Sequence, residues 1–563
     1  MRKLEESSAC DVLVVGGGGA GLLAAIEAAG HGASVVVACK GKAGRSGNTV
    51  VAVSQFSAVV PDDDSDDSPE RHYNDTLNGG KGINDERLAW ILASRGGPAV
   101  LKLEKLGVPL HRSEGRLVRQ GAAGHSRIRG IHIDGTRFPA TLGGLAITLP
   151  LRAEAEKRGV RFLDDAPVIR LLTRDGQVCG AVVVLLEDGK LLAIKAKAVV
   201  MAAGGAGRLY SRTNNTGGVC GDGYALMLLA GAPLKDMEFV QFYPHQMSAP
   251  IKAPLPNSVF PDGAVLRNRH GERFMHLYDP VHKELATRDT MARAIFLEVQ
   301  KGNGIDGEVY ADCRNLSEAV LQKKYFAITR DLRRHGIDLT RDWVRVAPSA
   351  HFFMGGAEID EHCRTGIPGL FAAGEAAGGV HGANRISGNA LTETAVFGPL
   401  AGRAAAELAL SSRSRPEPDI PDLSLAAGRR EEAPEGIRRQ LRNAMWEGAS
   451  IVRSRASLRR ALATVKECAS AAERYEGDGS AADIAQREET RLMCMTAEAV
   501  VLSALAREES RGAHFRDDFP LEERRWLGSH RVWRSESGLK VEFAPKAEDR
   551  HHSHEAGSGH CPA

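Results

Sequence analysis

Gly16, Gly18 and Gly21 stand in the run Gly16-Gly17-Gly18-Gly19-Ala20-Gly21, between the apolar stretch Asp11-Val-Leu-Val-Val15 and the alanine-rich segment Leu22 to Ala29. A strand, a glycine turn and a helix in that order form a phosphate cradle. The first glycine permits the tight turn, the second lets the backbone approach a pyrophosphate, and the third lets helix and strand pack closely. The helix start adds free N–H groups and a partial positive charge facing the phosphates. The pattern points to a bound dinucleotide. A ribose-binding acid is expected about 20 residues on, at the end of the second strand, Ser34 to Ala38. Cys39 and Lys40 stand there instead, which disfavours NAD. Two later strand–glycine segments favour a flavin: Val199-Val-Met-Ala-Ala-Gly-Gly205 and Gly369-Leu-Phe-Ala-Ala-Gly-Glu375. Glu375, at such a strand end, can hydrogen-bond cofactor hydroxyls.

Three such strand ends, spread from residue 15 to residue 375, imply one nucleotide domain assembled from distant pieces of chain. The material between them must form an inserted domain. At 563 residues the chain has room for three or four units of about 100–200 residues each. Its formal net charge of +2 lacks the basic surplus of a nucleic-acid binder. With 43% hydrophobic and 26% charged residues it is an ordinary globule rather than a disordered chain. Its 62 glycines exceed the usual share of about 7%, which suggests many close backbone approaches. No apolar run reaches the ~18 residues of a membrane span, and the N-terminus does not read as a secretory signal, so a cytoplasmic location is expected. The nine cysteines include no Cys-x-x-Cys pair, and no metal or iron–sulfur site is expected in this chain.

Six further stretches carry a resemblance: Asp75-Thr-Leu-Asn-Gly-Gly-Lys-Gly-Ile-Asn-Asp85; Gly221-Asp222-Gly223; Asp236-Met-Glu-Phe-Val-Gln-Phe242; His351-Phe-Phe-Met-Gly-Gly356; His381-Gly-Ala-Asn-Arg385; and Arg507-Glu-Glu-Ser-Arg-Gly-Ala-His514. From about residue 10 to 530 the chain resembles the flavoprotein subunits of fumarate reductase and succinate dehydrogenase, and the related L-aspartate oxidases. The resemblance implies an α/β fold: a Rossmann-like FAD-binding domain (10–240 and 351–410), an inserted α+β capping domain (241–350), a linker (411–436) and a C-terminal helical bundle domain (437–535). A tail (536–563) is expected to be disordered. FAD contacts would fall on Gly16, Gly18, Gly19, Ala20, Gly21, Lys40, Ser46, Asn48, Thr49, Asp222, Glu375, Arg385, Asn389 and Leu391. Covalent members of the family attach flavin through the His of Arg-Ser-His-Thr. Here the stretch is Arg45-Ser46-Gly47-Asn48-Thr49, and an Asn48 amide cannot form that bond, so FAD is expected to be non-covalent.

Hydride transfer at flavin needs a substrate carbon held about 3–3.5 Å away, and carboxylate substrates need cationic clamps. By resemblance, His351 and Arg385 hold a carboxylate, and Arg288 exchanges a proton with the neighbouring carbon. Arginine is an odd acid, with a pKa above about 12, and can act only when buried beside other cations. The chain departs from the family in the capping segment. Tyr243 replaces a substrate-contacting His, with His245 a candidate to compensate, and Pro256, Asn257 and Phe260 stand where the family has Thr, Glu and Arg. That half of the pocket loses its distal clamp and its proton relay. Asp262, Asn257 and Ser258 are candidates for another route, and a substrate other than plain succinate or fumarate is expected.

The acidic run Asp62-Asp-Asp-Ser-Asp-Asp67 lacks the Gly and Glu of a calcium loop and reads as a solvated loop. From Ile437 to about Arg507 the pattern is helical, broken at Glu476–Ser480. His551, His552 and His554 read as part of the disordered tail. Three functions stay open. The leading one is an FAD oxidoreductase acting on a CH–CH or C=C bond beside a carboxylate; its partners would be a small carboxylate substrate and an iron–sulfur redox subunit. The second is C–N oxidation of the L-aspartate oxidase type, which needs a carboxylate for the substrate's ammonium group. The third is a non-catalytic, FAD-carrying electron-transfer subunit.

Overall fold

The structure, a computed structural model, describes residues 5–52, 55–60, 66–135, 137–412, 417–418 and 433–546. The central sheet has seven strands. Its main path runs Arg161–Leu163, Val35–Ala38, Glu5–Val15, Lys190–Met201, Gln177–Leu185, Val168–Arg174, and Leu370–Ala372 pairs with the end of Lys190–Met201. Glu5–Val15 runs parallel to both of its neighbours. Val12, Leu13 and Val14 are buried on both faces, as expected of a parallel strand covered on two sides.

One of those covers is the helix Gly19–Gly30, which packs against the helix Asn389–Ser411. Gly398 and Gly402 lie four residues apart, on one face of the second helix. A Cβ at these positions would fall 2.7 Å from Ala20 O and 2.2 Å from Ala24 O. Bare backbone there lets the two helices approach closely and brings the start of the second helix beside the glycine turn.

The inserted domain has its own core, including Leu255, Val259, Phe260, Leu266, Phe274 and Ile295. Its sheet is ordered Ala253–Pro254, Val240–Met247, Trp343–Phe353, Val309–Asp312, Val265–Arg267. The chain enters along Val240–Met247 and leaves along Trp343–Phe353, and these two strands pair antiparallel with Tyr243 opposite Ser349. A small sheet of Gln55–Ser57, Gly130–His132 and Arg119–Gln120 lies in the nucleotide domain. Loop 121–129 joins its last two strands.

Three helices follow the linker: Pro434–Ala449, Arg455–Arg474 and Ala481–Ala506. Ser454 and Ser457 close a capping box on the second, and Ser480 caps the third. The break between these two falls at the Glu476–Ser480 stretch read from the sequence. Beyond the helices the expectation needs correction. Gly528–Ser535 and Gly538–Pro545 form a hairpin rather than a helical end and a structureless tail. The hairpin extends a sheet through Leu234–Lys235 to Gly356–Ala357, so backbone pairing with distant strands orders it. His551, His552 and His554, most of the linker and Asp62–Asp64 lie outside the described residues. Asp66 and Asp67 lie within them and bind arginines: Asp66 pairs with Arg71 and Arg127, and Asp67 with the buried Arg129.

Candidate active site

The glycine turn is built as its spacing requires. Gly16 has φ +108°, and a Cβ there would meet Ala202 O at 2.2 Å; a Cβ on Gly21 would meet Gly16 O at 2.0 Å. The helix begins at Gly19, whose N–H donates to Thr49 Oγ1 at 3.1 Å. Ser46 lies in the adjoining turn, its hydroxyl donating to Lys42 O. Lys40 reaches Asp222, the first residue of the helix Asp222–Leu229, and Glu489 of the third C-terminal helix. Burial opposes its charge, but the carboxylates of Asp222 and Glu489 outweigh burial and raise its pKa.

Asn48 Nδ2 donates to Asn215 Oδ1 at 2.8 Å and to Glu375 Oε2 at 3.4 Å. Glu375 Oε1 accepts from Phe353 N–H at 3.0 Å. Burial raises its pKa to about 7. Thr216 Oγ1 and Asp222 Oδ1 are buried with no partner among the described residues. A bare-backbone cradle at a helix start, lined by unfilled polar atoms, fits FAD. The side chain of Asn389 is turned away from the cradle, to His72 and Thr76. Leu391 is half-buried against the core.

The cationic residues come from three separate stretches of chain. Arg288 opens the helix Arg288–Gln300 of the inserted domain, His351 lies on an exit strand, and Arg385 precedes the helix Asn389–Ser411. Arg385 Nη2 donates to Gln241 Oε1 at 2.7 Å, and its guanidinium lies over the Phe352 ring. Arg288 Nη2 reaches Ser387 Oγ at 3.4 Å, and its guanidinium lies over the Tyr243 ring at 5.3 Å. Arg288 Nη1 and Arg385 Nε are buried without partners among the described residues. Burial lowers the Arg288 pKa; burial and then the charge of Arg288 lower that of Arg385 to about 9. His351 is held well below its usual range by burial and by both arginines, and its Nδ1 lies 3.2 Å from Asn214 Oδ1.

The wall contributed by the inserted domain is neutral. Tyr243 donates its hydroxyl to Leu255 O at 2.7 Å. His245 is fully buried against the Phe260 ring, 4.2 Å between centroids, and burial lowers its pKa to about 3. Asn257 joins them. With its amide turned to satisfy its neighbours, its oxygen accepts from Arg288 Nε at 2.6 Å, and its nitrogen lies 3.2 Å from both Tyr243 Oη and His245 Nδ1. Asp262 is tied instead to Lys324 and Tyr325. Gln241, Asn384, Ser387 and Asn215 were not singled out by sequence reasoning. Gln241 and Asn384 lie inside the quoted stretches, which was the available signal.

Residues 11–391 match the FAD binding domain family, and residues 438–553 match the family described as fumarate reductase flavoprotein C-term. A fumarate reductase (CoM/CoB) chain from Methanothermobacter marburgensis is 39% identical, over 92% of this chain and 96% of its own. The L-aspartate oxidase of Streptomyces coelicolor is 36% identical, over 91% of this chain and 89% of its own. A solved structure of a FrdA variant from E. coli quinol fumarate reductase superposes with TM-score 0.86 at 30% identity, covering 96% of this chain and 97% of that one. The nucleotide cradle, the inserted domain and the C-terminal domain thus recur together in proteins of one kind, and the chain belongs to the FAD-binding fumarate reductase flavoprotein family.

Proposed function

We propose that the chain is the catalytic flavoprotein subunit of an oxidoreductase acting on a CH–CH or C=C bond next to a carboxylate. One observation carries this reading: the guanidinium groups of Arg288 and Arg385 keep buried, unpartnered N–H groups and bond to no carboxylate among the described residues. A buried cation without a counter-ion is costly, and a substrate carboxylate supplies one. Bound in the cradle, FAD supplies the donor or acceptor of the hydride. Arg385 and His351 hold the carboxylate, His351 as a neutral hydrogen-bonding group. Arg288 gives a proton to the adjacent carbon in reduction and takes one in oxidation. Asn257 aims Arg288 through a neutral amide, which does not oppose proton release as a carboxylate would. The far end of the substrate meets Tyr243, His245 and Asn257, and this neutral wall favours something other than plain succinate or fumarate.

Aspartate oxidation gains no support from this site. The carboxylates that act on Arg385 are Glu375 and Glu393, and both are engaged, Glu375 by Phe353 N–H and Asn48, Glu393 by His381. FAD is held without a covalent bond, since Asn48 offers only an amide. Acid precipitation should therefore release all the yellow colour. Electrons pass to or from an iron–sulfur partner in the cytoplasm. No helix among the described residues is long and apolar enough to cross a membrane.

The test is anaerobic reoxidation of the dithionite-reduced holoprotein by unsaturated mono- and dicarboxylates, followed by flavin absorbance. At least one should reoxidise the wild type, and Arg288→Ala should lose that reaction while keeping its FAD. A panel without effect, or an undiminished Arg288→Ala, sinks the reading.

A further inference from the structure

We propose that His125 is a positioning residue: held by Arg129, it fixes the Ser387 turn on which the cationic centre rests. The inference depends on the role proposed above for Arg288 and Arg385. Ser387 lies two residues after Arg385, and its hydroxyl is the group that Arg288 Nη2 reaches. The turn has no regular secondary structure of its own, so other segments must hold it. Ser387 N–H donates to Ala123 O at 3.0 Å. Ser387 O accepts from Ser57 Oγ at 2.8 Å and from His125 Nε2 at 2.7 Å. Two of these three bonds come from loop 121–129. The loop also lies directly on the turn: Gly124, with φ +89°, would put a Cβ 2.4 Å from Ile386 Cγ2.

The protonation of His125 is dictated by its partners. A carbonyl oxygen only accepts, so Nε2 carries the proton. Nδ1 then accepts from Arg129 Nη1 at 2.9 Å. Burial, then the neighbouring His72, lower the His125 pKa to about 3, consistent with the neutral ring that both contacts demand. Arg129 is fully buried and cannot turn away. Asp67 takes its Nη2 and Nε at 2.6 and 2.9 Å, and Asp75 takes its Nη1 at 2.5 Å. Asp75 also accepts from Ser126 N–H and Oγ, both at 2.9 Å, which closes the loop on itself. Two carboxylates thus fix one guanidinium, the guanidinium fixes one imidazole, and the imidazole fixes the main chain beneath Arg288. Asp67, the last residue of the acidic run, gains a role here as an anchor.

Two variants separate this role from a purely structural one. Asparagine retains an acceptor near the Nδ1 position, for Arg129, and loses the bond to Ser387. Glutamine retains a donor near the Nε2 position. In the holoprotein, His125→Asn should lower the turnover number about 10–100-fold, the scale of a misplacement of about 1 Å. It should keep its FAD content and melting temperature, and speed amide hydrogen exchange in the peptide spanning residues 385–391. His125→Gln should stay within a few-fold of wild type in turnover and match it in exchange. The inference is overturned if exchange at 385–391 is unchanged in His125→Asn, if glutamine is as damaging as asparagine, or if melting temperature falls in step with turnover. Undiminished turnover in Arg288→Ala would instead sink the proposed function, and the exchange comparison would still judge the brace.

Discussion

The arginines of the C-terminal domain and those of the cationic site are treated in opposite ways. In the C-terminal domain Arg507 is fully buried and fully engaged. Its Nε donates to Glu238 at 2.6 Å, its Nη1 to Glu509 at 2.8 Å and its Nη2 to Gly528 O at 2.9 Å. Burial alone would lower its pKa, but Glu238 outweighs that and raises it. Arg511 also binds Glu509, through Nε at 2.8 Å and Nη2 at 2.9 Å. Arg385 is also buried and Arg288 is half-buried with its Nη1 enclosed, yet their partners among the described residues are two amides, a hydroxyl, a main-chain carbonyl and aromatic faces, and their pKa values fall. A buried guanidinium with counter-ions is a structural bolt. One without them is poised for an incoming anion.

Three substitutions sharpen that contrast. Arg288→Ala should cost the most, lowering turnover by about 10²–10⁴-fold, the usual worth of a general acid, with FAD retained. A rapid-mixing trace of flavin reoxidation reads it directly. Arg507→Met should destabilise the fold by about 3–5 kcal/mol, because it removes the arginine from the buried Glu238, which keeps only His530, and leaves Glu509 to Arg511 alone. A urea unfolding midpoint measures the loss, and any fall in activity should follow the folded fraction. Arg385→Met, a swap of the same kind at the other site, should change stability by about 1 kcal/mol or less in either direction. It should instead weaken kcat/KM for a carboxylate by about 2–5 kcal/mol, the cost of a lost charge partner. Equal destabilisation by the two methionines would break the comparison.

The same contrast governs what could be read from the sequence. The bolt is legible, since Arg507, Glu509 and Arg511 alternate in one short stretch and pair with each other. The nucleotide domain is legible for a similar reason: strand, glycine turn and helix are contiguous. The active site is not contiguous. Arg288 has Asp289 beside it in sequence, but Asp289 accepts from Asn384, 95 residues away, and leaves Arg288 without an acid. The changed residues Tyr243, His245 and Asn257 were visible as changes. Which of them touch Arg288 depends on how the helix Arg288–Gln300 packs against the strand Val240–Met247, some 45 residues upstream. The hairpin at 528–545 is not legible in the sequence, because its pairing is long-range as well. Its strand Gly538–Pro545 is only partly buried, and its sheet partner Leu234–Lys235 lies some 300 residues upstream.

A smaller effect probes the edge of the bolted region. Asp236 is buried beside Lys235 and Glu238, accepts from Ser529 Oγ at 3.0 Å and leaves Oδ1 unpartnered. Burial raises its pKa to about 6, against the partial relief given by Lys235. The folded state therefore favours the neutral acid. Its contribution to stability is complete below the unfolded pKa of about 4 and is lost as pH rises through about 6. Asparagine is neutral at every pH, and it tolerates the left-handed backbone found here, φ +59°. Asp236→Asn should therefore stabilise the protein by about 1–3 kcal/mol at pH 7, and the advantage should vanish near pH 4. Arg507, held by two carboxylates, should show no such gain on neutralisation at either pH. No gain from Asp236→Asn at pH 7, or a loss there, would mean that Lys235 already stabilises the charged form, and that this corner of the network is as fully paired as its centre.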